Sequence, residues 1–221
     1  LKDDWHIYWR NPGDSGLPTD IRFALPNGGV ASEIKFPTPK IFYADDIVNY
    51  GYSHQVLLIS EISIPKSFSQ KEISISAKLS SLICKDICKS FDTTLTLKIS
   101  LSENYFAEKS ISDLFYRTRE LLPIKDYNIK ISAVKKSNSI SLLLDKYFAT
   151  GIEIKSFNFY PYQEVIFKNK VNQVNNDLGK YLELVLEPEP FRSEEPKEVS
   201  GIILLNDDKS KSYEINIPIK D

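Results

Sequence analysis

The chain has 221 residues, 42% of them hydrophobic and 26% charged, and its 28 basic and 30 acidic side chains leave a formal net charge of −2. Apolar content of this order can build one large or two small cores, and the interspersed, balanced charge excludes a basic face for nucleic acid or anionic lipid. No apolar run approaches the roughly eighteen residues that would cross a bilayer, and the absence of methionine even at position 1 predicts a processed or trimmed piece of a longer product.

Short runs of period-2 alternation, rich in Ile, Val, Phe, Tyr and Thr and punctuated by Pro, Gly, Asn and Asp, predict strands over nearly the whole length. In the first half they cover 4–10, 20–25, 32–36, 55–64, 72–84 and 92–101. In the first of these, Trp5, Ile7 and Trp9 share one face and His6, Tyr8 and Arg10 the other, and "NPGDSG" then forces a turn that sets Asp14 to answer Arg10.

One helix interrupts the strands. In "SISDLFYRTRELLP" the residues Ile111, Leu114, Phe115, Thr118, Leu121 and Leu122 recur at spacings of three and four, with Ser110 or Ser112 placed to cap the start and Pro123 beyond the end. The second half resumes with strands over 127–136, 139–146, 152–160, 164–169, 180–188, 199–206 and 212–219. The stretch 168–180 reads as a loop and 187–198 as an acidic, proline-stiffened connection. The expected architecture is all-β: two immunoglobulin-like sandwiches, 1–104 and 123–221, joined by a helical connector at 105–122.

The chain's two cysteines, Cys84 and Cys88, lie in "LICKDICKS". Alternation on both sides predicts two antiparallel strands joined by a tight turn at Lys85, Asp86 and Ile87, with the sulfurs facing each other. A permanent staple, a redox switch and part of a metal site all remain open for such a pair. As a staple it closes a very short loop, worth only about 2 kcal/mol in the chain-entropy account, and short cross-turn bridges tend towards easier reduction. A closed metal site wants three or four soft ligands. The additional candidates, His6 in a strand and His54 in a polar turn, are far away in sequence.

A set of blocks favours the redox switch among these. "DDWHIYWRNPGDSGLPTDIRFALPNG" (3–28), "FPTPKIF" (36–42), "VNYGYSHQVLL" (48–58), "CKDIC" (84–88), the helix ending "ELLP" and the closing "VSGIILLNDDKSKSYEINIPI" (199–219) follow one another in order. Together they resemble the N-terminal periplasmic region of the DsbD/ScsB family of membrane thiol-disulfide reductases. The three-residue gap between the cysteines resembles the ScsB-type branch.

The resemblance implies a protein-disulfide reductase domain in which Cys84 and Cys88 take electrons from a transmembrane domain and pass them to periplasmic thioredoxin-fold disulfide-bond proteins. It implies that Cys88 joins the partner in the mixed disulfide and Cys84 resolves it. It also implies an aromatic cap over the sulfurs, for which the segment 40–52 is the candidate, with Phe42 or Tyr43 as covering ring and Tyr50 and Tyr52 as supports. No cofactor, metal or nucleic acid is called for, and the segment itself does not insert into the membrane. The alternatives are a non-catalytic partner-binding sandwich with a structural disulfide, and a copper-handling thiol domain.

Overall fold

The computed structural model describes residues 1–26, 28–101, 107–126, 128–148, 153–169, 173–192 and 194–221. Among the described residues it is predominantly β, with one α-helix. The strands are β1 (His6–Gly13), β2 (Asp20–Ala24), β3 (Val30–Ala31), β4 (Lys40–Ala44), β5 (Ile47–Ser53), β6 (Ile62–Ser63), β7 (Glu72–Cys84) and β8 (Cys88–Ser100). After helix α1 (Lys109–Glu120) come β9 (Ile131–Lys135), β10 (Ile140–Asp145), β11 (Phe157–Pro161), β12 (Asn175–Leu178), β13 (Tyr181–Leu186), β14 (Glu198–Leu205) and β15 (Ser212–Lys220).

The chain divides into two compact units. The first comprises Leu1–Pro12, Gly16–Lys40 and Tyr50–Glu120, and the second Gly13–Ser15, Ile41–Asn49 and Leu121–Asp221. The boundary expected at 104/105 lies outside the described residues.

One sheet has the order β2-β7-β1-β5-β4, with β8 added along β7. Its long hairpin obeys the sequence: β7 alternates from Glu72 to Cys84 as expected, and β8 continues the ladder from Cys88 to Ser100. In the first unit Trp9 and Tyr8 are both buried, so the centre of β1 is covered on both faces. Trp9 meets Tyr50 edge to face with ring centroids 6.2 Å apart, an arrangement favoured by the ring quadrupoles. The hydroxyl of Thr19 donates to the Tyr8 carbonyl at 2.9 Å and lies 2.9 Å from the Ser81 hydroxyl, which ties the chain after the first turn to β1 and β7.

Several local expectations change, among them the run 164–169, expected as a strand, which keeps only the isolated bridge of Phe167 to Pro188. The run 32–36 keeps only an isolated bridge, Lys35 to Ile59, and 55–64 keeps only β6, which pairs with β3. Serine side chains take over part of that ladder: the Ser32 hydroxyl accepts from the Glu61 amide and Ser60 donates to the Ser32 carbonyl, the competition with backbone pairing that short hydroxyl residues bring. The candidate cap segment 40–52, to which the sequence reading assigns no strand, forms the β4–β5 hairpin. Its turn is Asp45–Asp46, and Asp45 adopts φ +54°, a left-handed conformation supplied without the usual glycine signal. Finally, 175–178, expected in a loop, forms β12 against β13.

Helix α1 begins at Lys109, so Ser110 and Ser112 lie inside its first turn and cap nothing from outside. Of its apolar stripe only Thr118 is buried, and Ile111, Leu114 and Leu121 are exposed.

The second unit carries a seven-stranded sheet, β11-β14-β15-β9-β10-β13-β12, in which β15 and β9 pair in parallel. Leu142 and Leu144 from β10, Phe157 and Phe159 from β11, Leu182 and Leu184 from β13, and Val199 and Ile203 from β14 join one cluster. Strands distant in the sheet order thus share a single core, which requires the sheet to fold into two facing layers. Also within this unit, Asp14 accepts from the Val48 amide and from the Asn169 side-chain amide, both at 2.7 Å.

Candidate functional site

Cys84 ends β7 and Cys88 opens β8, and the two are bonded to each other. The intervening residues make the expected turn, closed by the Lys85 amide donating to the Ile87 carbonyl at 3.1 Å. A three-residue turn of this kind sets the register so that Cys84 and Cys88 stand directly opposite, on one face of the ladder. The two residues are unequal: Cys84 is 2% exposed, whereas Cys88 lies in the exposed class. A sulfur at position 88 is therefore the approachable end of the bridge, and one at 84 is held in the protein.

The third strand adds a neighbour that sequence spacing does not reveal. β1 pairs with β7 at His6 to Cys84 and Ile7 to Ile83. By strand alternation His6, Cys84 and Cys88 share one face, and Ile7, Ile83 and Lys89 share the other. Burial holds the imidazole of His6 below its ordinary value of 6.5, which favours the neutral form of the ring opposite Cys84. Its edge meets Tyr8 at a centroid distance of 5.3 Å.

That shift has a consequence for stability. With the folded value below the unfolded one, the unfolded chain takes up a proton first as pH falls through 6.5, so stability is fully present above that pH and declines on acidification until the folded ring also titrates. His6→Gln is expected to flatten this part of the curve, measured by urea denaturation at several pH values between neutrality and mild acid. An unchanged slope would exclude His6 as its source.

The surroundings are mixed in charge. Lys85 Nζ lies 3.0 Å from an Asp4 carboxylate oxygen, and this hydrogen bond raises the Lys85 ammonium above its ordinary value. Lys89 Nζ sits 5.6 Å from the centroid of the Trp5 ring. On the face of the hairpin end opposite the two sulfurs, Trp5, Ile83, Lys89 and Phe91 help line a shallow cleft of about 340 Å³ with an apolar floor. Among the described residues no group of three or more His, Cys, Asp or Glu side chains assembles around a common point. His54 lies 3.9 Å from Asp3 through Nδ1.

The four aromatic residues of 40–52 fall into different settings. Tyr50 and Tyr52 are buried in the first unit, where Tyr50 packs on Trp9 and the Tyr52 hydroxyl donates to the Pro37 carbonyl at 2.6 Å. Phe42 and Tyr43 belong to the second unit. Tyr43 is exposed, and its phenol is raised by partial burial and by the Asp207 carboxylate, which also acts on buried Tyr160. His6, weighed from the sequence only as a metal ligand, is the neighbour that strand pairing adds to the bridge, visible once β1 is laid beside the end of β7.

Residues 1–100 match the family model of "Thiol:disulfide interchange protein DsbD, N-terminal". The fold is similar to the crystal structure of the N-terminal periplasmic domain of ScsB from Proteus mirabilis. The TM-score is 0.71 and the sequence identity 18%, over 100% of this chain and 85% of that one. No curated protein matches the chain by sequence. The portion of the chain that carries the Cys84–Cys88 bridge, residues 1–100, therefore belongs to the DsbD N-terminal domain family.

Proposed function

We propose that this chain is a periplasmic thiol–disulfide exchange module of a membrane disulfide reductase, with residues 1–104 as its redox domain and 123–221 as a second sandwich. The observation that carries the reading is the asymmetry of the bridge: one buried and one exposed cysteine across a turn, in a domain of the DsbD family. In the reduced protein the Cys88 thiolate attacks a partner disulfide. A Cys88–partner disulfide forms and one partner thiolate leaves. Cys84, as thiolate, then attacks the Cys88 sulfur and the second partner thiolate departs. The protein ends oxidised, and two electrons have reached the partner with the protons that complete its thiols. A transmembrane domain acting as electron donor returns Cys84 and Cys88 to the dithiol by the same exchange in reverse. The partners are periplasmic proteins of the thioredoxin fold.

Two features support a switch over a staple. The bridge closes so short a loop that chain entropy gives it about 2 kcal/mol, against about 4.7 kcal/mol for a hundred-residue loop. Cys88 is also open to an incoming thiolate. In this reading the hairpin of 40–52 is the candidate cap for the pair, with Phe42 or Tyr43 as the cover and the buried Tyr50 and Tyr52 as its supports.

Equilibration of the purified chain in glutathione or dithiothreitol buffers tests the proposal. A Cys84–Cys88 potential in the range of exchange proteins, above about −300 mV, is expected, and a lower value would identify a permanent structural bridge. In the same buffers, Phe42→Ala combined with Tyr43→Ala is expected to speed reduction by a small thiol. An unchanged rate would remove the cap from the mechanism and leave the exchange chemistry standing.

A further inference from the structure

Strand β8 is thirteen residues long and pairs with β7 from end to end. Among the described residues no strand lies along its other side. Exposed edges of this length are usually interrupted by proline, a bulge or inward-pointing charge. β8 contains neither proline nor glycine, and its ladder with β7 advances residue by residue without a bulge.

Its two faces differ sharply. Ser90, Asp92, Thr94, Thr96, Lys98 and Ser100 form a polar face, where Ser80 donates to Asp92 at 2.7 Å and Ser76 meets Thr96 at 2.8 Å. On the opposite face Phe91, Leu95 and Leu97 are 44%, 64% and 61% exposed. This is apolar surface beside an open backbone ladder, the combination that invites another strand.

The charges indicate which strand fits. When two identical strands pair antiparallel, one class of registers sets the apolar face of one on the polar side of the other, and the alternate class keeps one continuous apolar face. In the second class, the register with Leu95 on the two-fold axis sets Asp92 opposite the partner's Lys98 and Lys98 opposite the partner's Asp92. The same register sets Phe91 opposite Ile99 and Thr93 opposite Leu97. Moving the axis by one residue either way leaves Asp92 facing a threonine or a serine. Opposite charges directly across a ladder stabilise pairing and like charges oppose it.

We propose that β8 is the contact through which two copies of this chain associate, by antiparallel β8–β8 pairing about Leu95. The interface is isologous, so each subunit supplies the same edge and the same two charges.

Sedimentation velocity over a concentration series tests this, with the intramolecular Cys84–Cys88 bridge intact so that intermolecular disulfides contribute nothing. The unaltered chain is expected to show a reversible monomer–dimer equilibrium. Asp92→Lys and Lys98→Asp each create two like-charge pairs and are expected to weaken dimerisation by about tenfold. The double variant restores both pairs, as does an equimolar mixture of the two single variants. The mixture separates pairing from folding damage, because the lost Ser80–Asp92 hydrogen bond cannot be returned by a second chain. A chain that stays monomeric throughout, a dimer indifferent to both substitutions, or a mixture no tighter than its components would each overturn the proposal.

Discussion

Cys88→Ala is expected to abolish reduction of a partner disulfide, and Cys84→Ala to accumulate a covalent complex with the partner. The difference follows from exposure. Attack on a disulfide needs the nucleophile, the attacked sulfur and the leaving sulfur nearly in line, and Cys88, at the open start of β8, can present its sulfur to a second protein. Cys84, 2% exposed at the end of β7, cannot be reached in that way. Its sulfur lies within bonding reach of Cys88, so the role proposed for it is intramolecular. Removing it leaves the first step intact and deletes the quick exit from the mixed disulfide. Removing Cys88 deletes the first step. Non-reducing electrophoresis and mass spectrometry after incubation with an oxidised thioredoxin-fold partner would read both results. Comparable trapping by both variants would exclude the assigned order, and full turnover by both would exclude the pair as the redox centre.

The second large effect is expected at Gly51. A Cβ at this position would stand 2.1 Å from the Ile7 carbonyl oxygen and 3.1 Å from its carbon. Those are backbone atoms of the neighbouring strand, and the neighbour has little freedom to retreat because Ile7 is paired on its other side with Ile83, next to Cys84. Gly51→Ala is therefore expected to cost the first unit about 3 kcal/mol, measured by urea denaturation in the oxidised state. Gly179→Ala is the natural comparison. That glycine has φ +77° with nothing within 4 Å of the added carbon, so it carries only the left-handed backbone penalty, about 1 kcal/mol. Equal losses at the two positions would show that β1 can yield to the methyl group. The same experiment bears on the cysteine end of the sheet, since a displaced β1 moves His6, the residue opposite Cys84.

Much of the fold was legible because most strands alternate cleanly. The period-2 pattern is plain in β13 and in the sequence of β7, whereas β10 and β14 read as strands from unbroken apolar runs buried along nearly their whole length, and the 84–88 turn follows from the runs that converge on it. The exceptions have local causes. The β4–β5 hairpin turns at Asp45–Asp46, where aspartate supplies a conformation that sequence rules associate with glycine. The 32–36 and 55–64 runs surrender ladder positions to Ser32 and Ser60. The site was legible in its sulfurs and much less so in its setting. That Cys84 is buried and Cys88 open depends on β1 lying along only one side of the hairpin tip, a long-range pairing that no local pattern encodes.

The thirteen-pair register of β7 with β8 also bears on the order of events as the chain first folds. A hairpin with a three-residue turn closes in microseconds, while thiol oxidation takes seconds or longer, so the ladder is sampled many times before a bond is made. A slip of one position would send the two sulfurs to opposite faces and leave both thiols unjoined. Oxidation therefore selects those chains whose hairpin is already in step, and the bond on which the proposed exchange rests first acts as a check on strand alignment.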